Sequence, residues 1–533
     1  MDARLKEILS TNKNTDFGKK YDFERINSDE EYKNKVPLAK IDDFNIFINL
    51  SRRLGEYNII AKDDIIAYCD VLSDNAEQSY LVPCTKDHIK DLVNYYSGLL
   101  DDNLSLFLFE SESGKRRYAD KAIYNSFAGV ALSEMAKTVF RKSSFRFLKK
   151  QITSGPIDLI IENEFADNIK LRLLFALLDK DLTQIIAISS FNVLQMFRVL
   201  EDNWKELINI FKEGKISKSV ISDDETRSKC NSYLSSNVSR ANELEKIFES
   251  GFDEPVAIKI WPKLKRIVCN AYGPYKIYTE NCKRYTQGIN FNNSYIGDSS
   301  AIIGFAIENT NNSFVINKNN SYIEFLPLDI KDNRTIDFNQ VKLGLEYEIV
   351  ITNNAGLYRV KTNIVVRIKK IYKDQIIVNY CYYIPETYSF ENEKMYETRV
   401  SQALIFLING LNIGIEDFAF DIDKQNKRLN IYLEPNLHTK SKVDLNSIKP
   451  AMLNSLMDSA LQIANMKYAE ARFEGKINPC AVYLLESETQ LLCYDKIKYV
   501  LHRNGDAFKP IHYLINDEYK DYFSLLSKRI NFS

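Results

Sequence analysis

Cysteine and histidine are the side chains here best suited to metal chemistry. The sequence has eight of the first and four of the second. Cys69, Cys84, Cys230, Cys269, Cys282, Cys381, Cys480 and Cys493 contain no C-x-x-C pair, and His88, His438, His502 and His512 do not cluster with them. A zinc site draws four such ligands from characteristic close spacings. The thiols therefore read as reduced and partly buried in a cytosolic, cytoplasmic protein. Lys plus Arg (71) nearly balances Asp plus Glu (72), for a net charge of -1. No general field draws nucleic acid or an anionic membrane to the chain. Any anionic ligand must be held locally, where a lysine can act as a point charge on phosphate.

At 533 residues the chain exceeds what one hydrophobic core usually supports, so two or three domains are expected. Its 45% hydrophobic and 27% charged content fits a globular protein without wholesale disorder. The charged start, Met1-Asp2-Ala3-Arg4-Leu5-Lys6, lacks an apolar signal core. The most apolar run, 185–200, carries Ser189, Ser190, Asn192, Gln195 and Arg198, so it predicts a buried helix rather than a membrane span.

Helical periodicity predicts helices over 87–100, with Thr85 as N-cap, and through 157–215, ending at Gly214-Lys215. From 256 the period changes. Strands are predicted at 256–260, 266–270, 313–316, 322–326, 347–351, 365–368 and 375–378, with an Asn-rich loop over 309–320. The polar stretch 385–394 reads as a hinge between 1–388 and 389–533. Beyond it, a helix over 396–409, a strand over 429–433, a long helix over 448–471 and a strand over 482–485 predict a small α+β domain. The class is α/β.

An ordered set of local patterns runs along the chain. It comprises Thr15-Asp16-Phe17-Gly18-Lys19-Lys20-Tyr21, Val36-Pro37-Leu38, Trp261-Pro262-Lys263-Leu264-Lys265, Tyr322-Ile323-Glu324-Phe325-Leu326-Pro327, Gly356-Leu357-Tyr358-Arg359 and Gly505-Asp506-Ala507-Phe508-Lys509-Pro510. Together these resemble the Gretchen Hagen (auxin-responsive promoter) family of acyl acid amido synthetases. The resemblance implies a large N-terminal adenylate-forming domain of helices, mixed sheets and a small barrel, 1–388, with a smaller mobile C-terminal domain, 389–533. It also implies a two-step ligase using ATP and Mg²⁺. An acid attacks the α-phosphate to give an acyl-adenylate, and an amine or amino acid then displaces AMP.

Set against that family, three motifs have lost key side chains. The phosphate loop would be Leu72-Ser73-Asp74-Asn75-Ala76-Glu77-Gln78-Ser79-Tyr80, with Thr85 in the segment that fixes its register. It has no glycine, and Asp74 and Glu77 would repel a triphosphate by on the order of 1 kcal/mol each. In Tyr295-Ile296-Gly297-Asp298-Ser299-Ser300, Ser299 is kept and Ser300 stands for the family's Glu, while Asp298 is either a substitute metal ligand or a turn residue. After Tyr358 and Arg359, Asn363 and Ile364 replace the Gly-Asp that grips ribose, and Ile364 cannot accept a hydroxyl. Arg359 either serves the nucleotide or pairs with Glu324 or Glu348. Lys394 and Lys509 match the family's hinge and C-terminal lysines, and each is either a catalytic cation or a surface residue.

Two readings follow. One is a divergent ligase acting on a small carboxylic acid, bound partly against the helix 190–200, and an amine. The other is a non-catalytic relative that binds an acyl ligand or a paralogous synthetase without using ATP.

Overall fold

The computed structural model describes residues 1–54, 58–62, 65–72, 79–85, 109–111, 116–117, 169–293, 295–297, 300–307, 312–319, 321–328, 334–372, 375–384, 387–390, 393–438, 442–490, 492–493, 510–514 and 517–528. The chain forms two compact units. The first gathers Met1–Leu106, Tyr124–Arg146 and Asn292–Pro385; the second gathers Phe107–Ile123, Phe147–Phe291 and Glu386–Ser533. The helix Glu397–Gly410 buries Val400, Ala403, Leu404 and Leu407 in the same apolar cluster as Phe197, Trp261 and Tyr278. Its apolar stripe is thus covered by residues from before position 291.

The first unit is built on a seven-stranded antiparallel sheet. Its order is Tyr322–Pro327, Glu346–Thr352, Val360–Tyr372, Gln375–Tyr383, Ser313–Ile316, Ile302–Ala306 and Tyr295–Gly297. All five strands predicted between 313 and 378 are present. The edge strand Tyr322–Pro327 is buried at every position, and its Phe325 exchanges backbone hydrogen bonds with Ile336. The hairpin Ile65–Leu72 and Ser79–Thr85 pairs Leu72 with Ser79. The N-terminal helices add an aromatic cluster in which Phe17 stacks on Tyr358, ring centroids 4.6 Å apart.

The second unit holds a five-stranded sheet in which Leu182–Ser189 and Arg266–Asn270 run parallel. The helical reading of 185–189 is corrected here, because this stretch lies in the strand and the helix begins only at Ser190. The reading of 256–260 as a strand is also corrected. Ala257–Ile260 is a helical turn that buries Val256, Ala257, Ile260 and Trp261 while Ile258 stays exposed, which is helical rather than alternating spacing. The expected long helix 448–471 is two helices, Pro450–Ala464 and Met466–Phe473. Asn465 breaks it by taking an extended ψ of 102° and capping the second helix through Lys467 and Tyr468 N–H groups. The strand Ile415–Asp423 was not anticipated; it pairs with Arg428–Pro435 in a four-stranded sheet. Within the polar stretch 385–394 lies part of a hairpin, Thr387–Phe390 with Glu393–Tyr396. The predicted helix 87–100 lies outside the described residues.

Candidate functional site

Two of the three nucleotide motifs meet in the first unit. The strands Glu346–Thr352 and Val360–Tyr372 are joined by a turn whose centre is buried Asn353. The Asn353 carboxamide oxygen accepts from the N–H groups of Ala355 (3.0 Å) and Leu357 (3.3 Å), while its Nδ2 donates to the Ser300 carbonyl at 2.7 Å. The Gly-Leu-Tyr-Arg turn and the segment ending at Ser300 are therefore tied by one side chain. Glycine is required on both sides of the tie. Gly297 has φ 145° and a Cβ there would come within 2.2 Å of the Ala301 carbonyl oxygen; Gly356 has φ 89° and a Cβ would meet Ile60 at 2.8 Å. Asn353 was missed in the sequence, although Asn353-Asn354-Ala355-Gly356 is a turn signal.

Tyr358 and Arg359 are both tied into the scaffold of this unit. Tyr358 is 0% exposed and donates to the Ile60 carbonyl at 2.6 Å. Arg359 is 4% exposed with a left-handed φ of 50°. Its Nε donates to both Glu324 oxygens at 3.2 Å, Nη1 to the Lys33 and Val36 carbonyls, and Nη2 to Thr335 Oγ1. Of the two possible partners, Arg359 takes Glu324. Glu348 pairs instead with Lys361 at 3.2 Å. Burial pushes the Glu348 carboxyl above its ordinary pKa, against the pull of Lys361.

Asn363 and Ile364 follow directly after this frame. Ile364 is buried and presents no acceptor. Asn363 is half-buried at a left-handed φ of 61°, with its N–H 3.3 Å from the Glu348 carboxylate. Asn363 is thus the residue of this pair that can present a polar group. Ser300 is buried, and its carbonyl is engaged by Asn353.

Thr85 ends the strand Ser79–Thr85 opposite Ile65. Lys394 lies in the strand Glu393–Tyr396 opposite Ser389. Ser73, Asp74, Glu77, Asp298, Ser299 and Lys509 lie outside the described residues. Among the described residues no group of three or more His, Cys, Asp or Glu is arranged to hold a metal ion. No described helix is long and apolar enough to cross a membrane.

In the second unit the helix Ser190–Glu213 starts where the parallel strand Leu182–Ser189 ends. Its entry is fixed by Ser189 with Asn192 and by a 2.6 Å bond from Ser190 Oγ to the Tyr275 carbonyl. The expectation that 190–200 lines an acid pocket is corrected for its apolar face. Phe191, Val193, Leu194, Phe197 and Leu200 fill the core, with Phe197 stacked on Tyr285 at 4.9 Å. Arg198 on the other face is also committed: it makes a two-pronged bond to Glu416 and a third bond to Tyr285.

Comparison with known proteins bears on the fold and the family. The solved structure of the GH3.15 acyl acid amido synthetase superposes with a TM-score of 0.80 at 19% identity, covering 99% of this chain and 94% of that one. A 2-hydroxyisobutyryl-CoA ligase in its postadenylation state superposes with a TM-score of 0.58 at 10% identity, covering 98% and 90%. These likenesses establish a mixed α/β fold shared with adenylate-forming enzymes. In sequence, the indole-3-acetic acid-amido synthetase GH3.17 of Arabidopsis thaliana is 24% identical over 397 residues. That match spans 68% of this chain and 65% of the relative. The 4-substituted benzoates-glutamate ligase GH3.12 of the same plant is 22% identical over 70% of this chain and 66% of its own length. Residues 314–380 match the GH3 family central domain. Residues 2–291, more than half of the chain, match the GH3 family N-terminal domain, and the chain belongs to the GH3 family.

Proposed function

We propose that this chain is a divergent acyl acid amido synthetase with a weakened hold on nucleotide. A carboxylate oxygen of a small acid attacks the α-phosphate of ATP, releasing pyrophosphate. An amine, such as that of an amino acid, then attacks the acyl carbon and releases AMP. Related chains join indole-3-acetic acid or 4-substituted benzoates to their amine partners by name. The acid here belongs to that broad class of small carboxylates. The observation that carries the reading is the Asn353 tie, which keeps the segment ending at Ser300 and the Tyr358–Arg359 turn in one frame.

In this reading Asn363 donates to or accepts from a ribose hydroxyl, in place of the missing carboxylate. Ser73, Thr85, Ser299 and Ser300 belong to the phosphate side, and Asp298 takes Mg²⁺. Lys394 and Lys509 supply positive charge to the α-phosphate. The test is acid-dependent exchange of labelled pyrophosphate into ATP, run over a panel of aryl and indolyl acids. Exchange with at least one acid is expected.

Burial of Ile364 at the ribose position favours a second reading, a non-catalytic relative that binds an acyl ligand or a paralogous synthetase. Under it no acid supports exchange. Acids from the panel then raise the melting temperature while ATP with Mg²⁺ does not.

A further inference from the structure

Four groups from four distant parts of the sequence converge in the interior of the second unit. They are Tyr278 on the helix Lys276–Thr286, Glu397 at the start of Glu397–Gly410, Asp417 on the strand Ile415–Asp423, and His512. His512 Nδ1 contacts the Glu397 carboxylate, and Nε2 lies 3.2 Å from Asp417 Oδ1 and 2.8 Å from the Tyr278 hydroxyl. The Tyr278 hydroxyl donates to Asp417 Oδ1 at 2.7 Å. Asp417 Oδ1 also takes the Phe418 N–H at 2.7 Å, and the Phe418 ring stacks on the imidazole at 4.0 Å.

A carboxylate faces each ring nitrogen, and the Tyr278 hydroxyl lies within reach of both Asp417 and Nε2. The protonated ring is the form that donates from both nitrogens to these two carboxylates. Burial alone would lower the His512 pKa, but Glu397 and Asp417 outweigh it and push it up to about 9. Burial and the neighbouring Asp417 keep the Tyr278 phenol protonated. Beyond Asp417 lies Glu434, whose carboxyl is itself pushed up by burial and by the Asp417 charge.

The backbone around His512 is equally fixed. The His512 carbonyl accepts from Phe420 N–H at 2.6 Å, and Leu514 N–H donates to the Phe420 carbonyl at 2.9 Å. Gln490 bridges the Phe418 and Ile511 carbonyls.

We infer that His512 is a positioning residue: an imidazolium bonded to both Glu397 and Asp417, it pins the first turn of Glu397–Gly410 against the strand Ile415–Asp423 and so holds Lys394 in place. The strand Glu393–Tyr396, which carries Lys394, runs directly into that helix. Lys394 stands three residues before Glu397, so the chain itself keeps it within about 11 Å of the pinned residue. This inference rests on the synthetase reading for the role of Lys394, and the pin itself does not.

The experiment has two arms on the full chain. In the first, histidine ring carbons are labelled and titrated by NMR, with His512→Gln identifying the His512 signal. The imidazolium form is expected to persist from pH 6 to 8. In Glu397→Gln, which keeps both histidine-facing bonds but loses a charge, the titration midpoint should fall. A His512 signal that titrates at or below the ordinary histidine value overturns the pin.

In the second arm, His512→Gln, Lys394→Met and the double variant are compared in acid-dependent pyrophosphate exchange. Each single variant should lower kcat by roughly tenfold or more with little change in KM for the acid, and the double should be no slower than Lys394→Met alone. Losses that multiply in the double variant overturn the positioning role. If the unmodified chain shows no exchange with any acid, the synthetase reading fails, while the NMR arm still decides the pin.

Discussion

Every guanidinium nitrogen of Arg359 donates to a protein oxygen, and its carboxylate partner Glu324 is fully buried. Removing one member of such a pair strands a charge in the interior. Arg359→Met should cost on the order of 3–5 kcal/mol in denaturant unfolding, and Glu324→Leu in the same chain should recover much of it. A loss below about 1 kcal/mol would mean that the network carries little of the fold. Asn353→Ala removes the donor to Ser300 together with the cap on the turn. A cost of about 1–3 kcal/mol is expected in the same measurement, from the buried groups left without partners. The sequence made Arg359 and its two possible acids legible as alternatives. It could not choose between them, because the choice depends on where the turn at 353–359 sets the arginine relative to two neighbouring strands. The convergence on His512 left no sequence signal at all, since its members stand at 278, 397, 417 and 512 with no shared spacing.

The sheet strands between 313 and 378 were legible because β-branched and aromatic residues recur there between polar turns. The errors came from short apolar runs. The run 256–260 has strand-like composition but helical burial, and 182–189 is an apolar strand abutting an apolar helix, so periodicity alone gave no boundary. At the turn Asn353–Arg359 the geometry makes a comparative prediction. Gly251 and Gly356 share a φ near +88°, but only Gly356 would place a Cβ against Ile60. Gly251→Ala should therefore show a backbone penalty of about 1–3 kcal/mol, and Gly356→Ala a larger loss. Equal losses at the two positions would show that the close approach to Ile60 is readily relieved.

At the scale of the molecule, Glu434 and His512, both buried among the described residues, contribute to how stability changes with pH. Glu434 accepts from the Glu488 and Gln490 N–H groups, and burial beside Asp417 pushes its carboxyl up to about 8. A pKa raised in the folded state means a contribution present at low pH and lost as pH rises through that value. For Glu434 the window runs from 4.5 to about 8; for His512 it runs from 6.5 to about 9. The melting temperature should thus decline from neutral toward pH 9. Glu434→Gln should flatten the lower part of that decline and His512→Gln the upper part. A melting temperature that holds or rises over this range would contradict both assignments. The packing of the second unit was only partly legible, since the shared core of 171–289 and 400–484 depends on helix faces that meet across more than a hundred residues. The proposed function takes the frame tied by Asn353 to hold nucleotide through Asn363 rather than a carboxylate, and calorimetric titration with AMP of the natural chain and of Asn363→Asp tests it most directly. The account predicts weak but measurable binding by the natural chain, tightened about 10- to 100-fold in the variant by a charge-assisted hydrogen bond to ribose. AMP binding by neither protein, or equally tight binding by both, would contradict it.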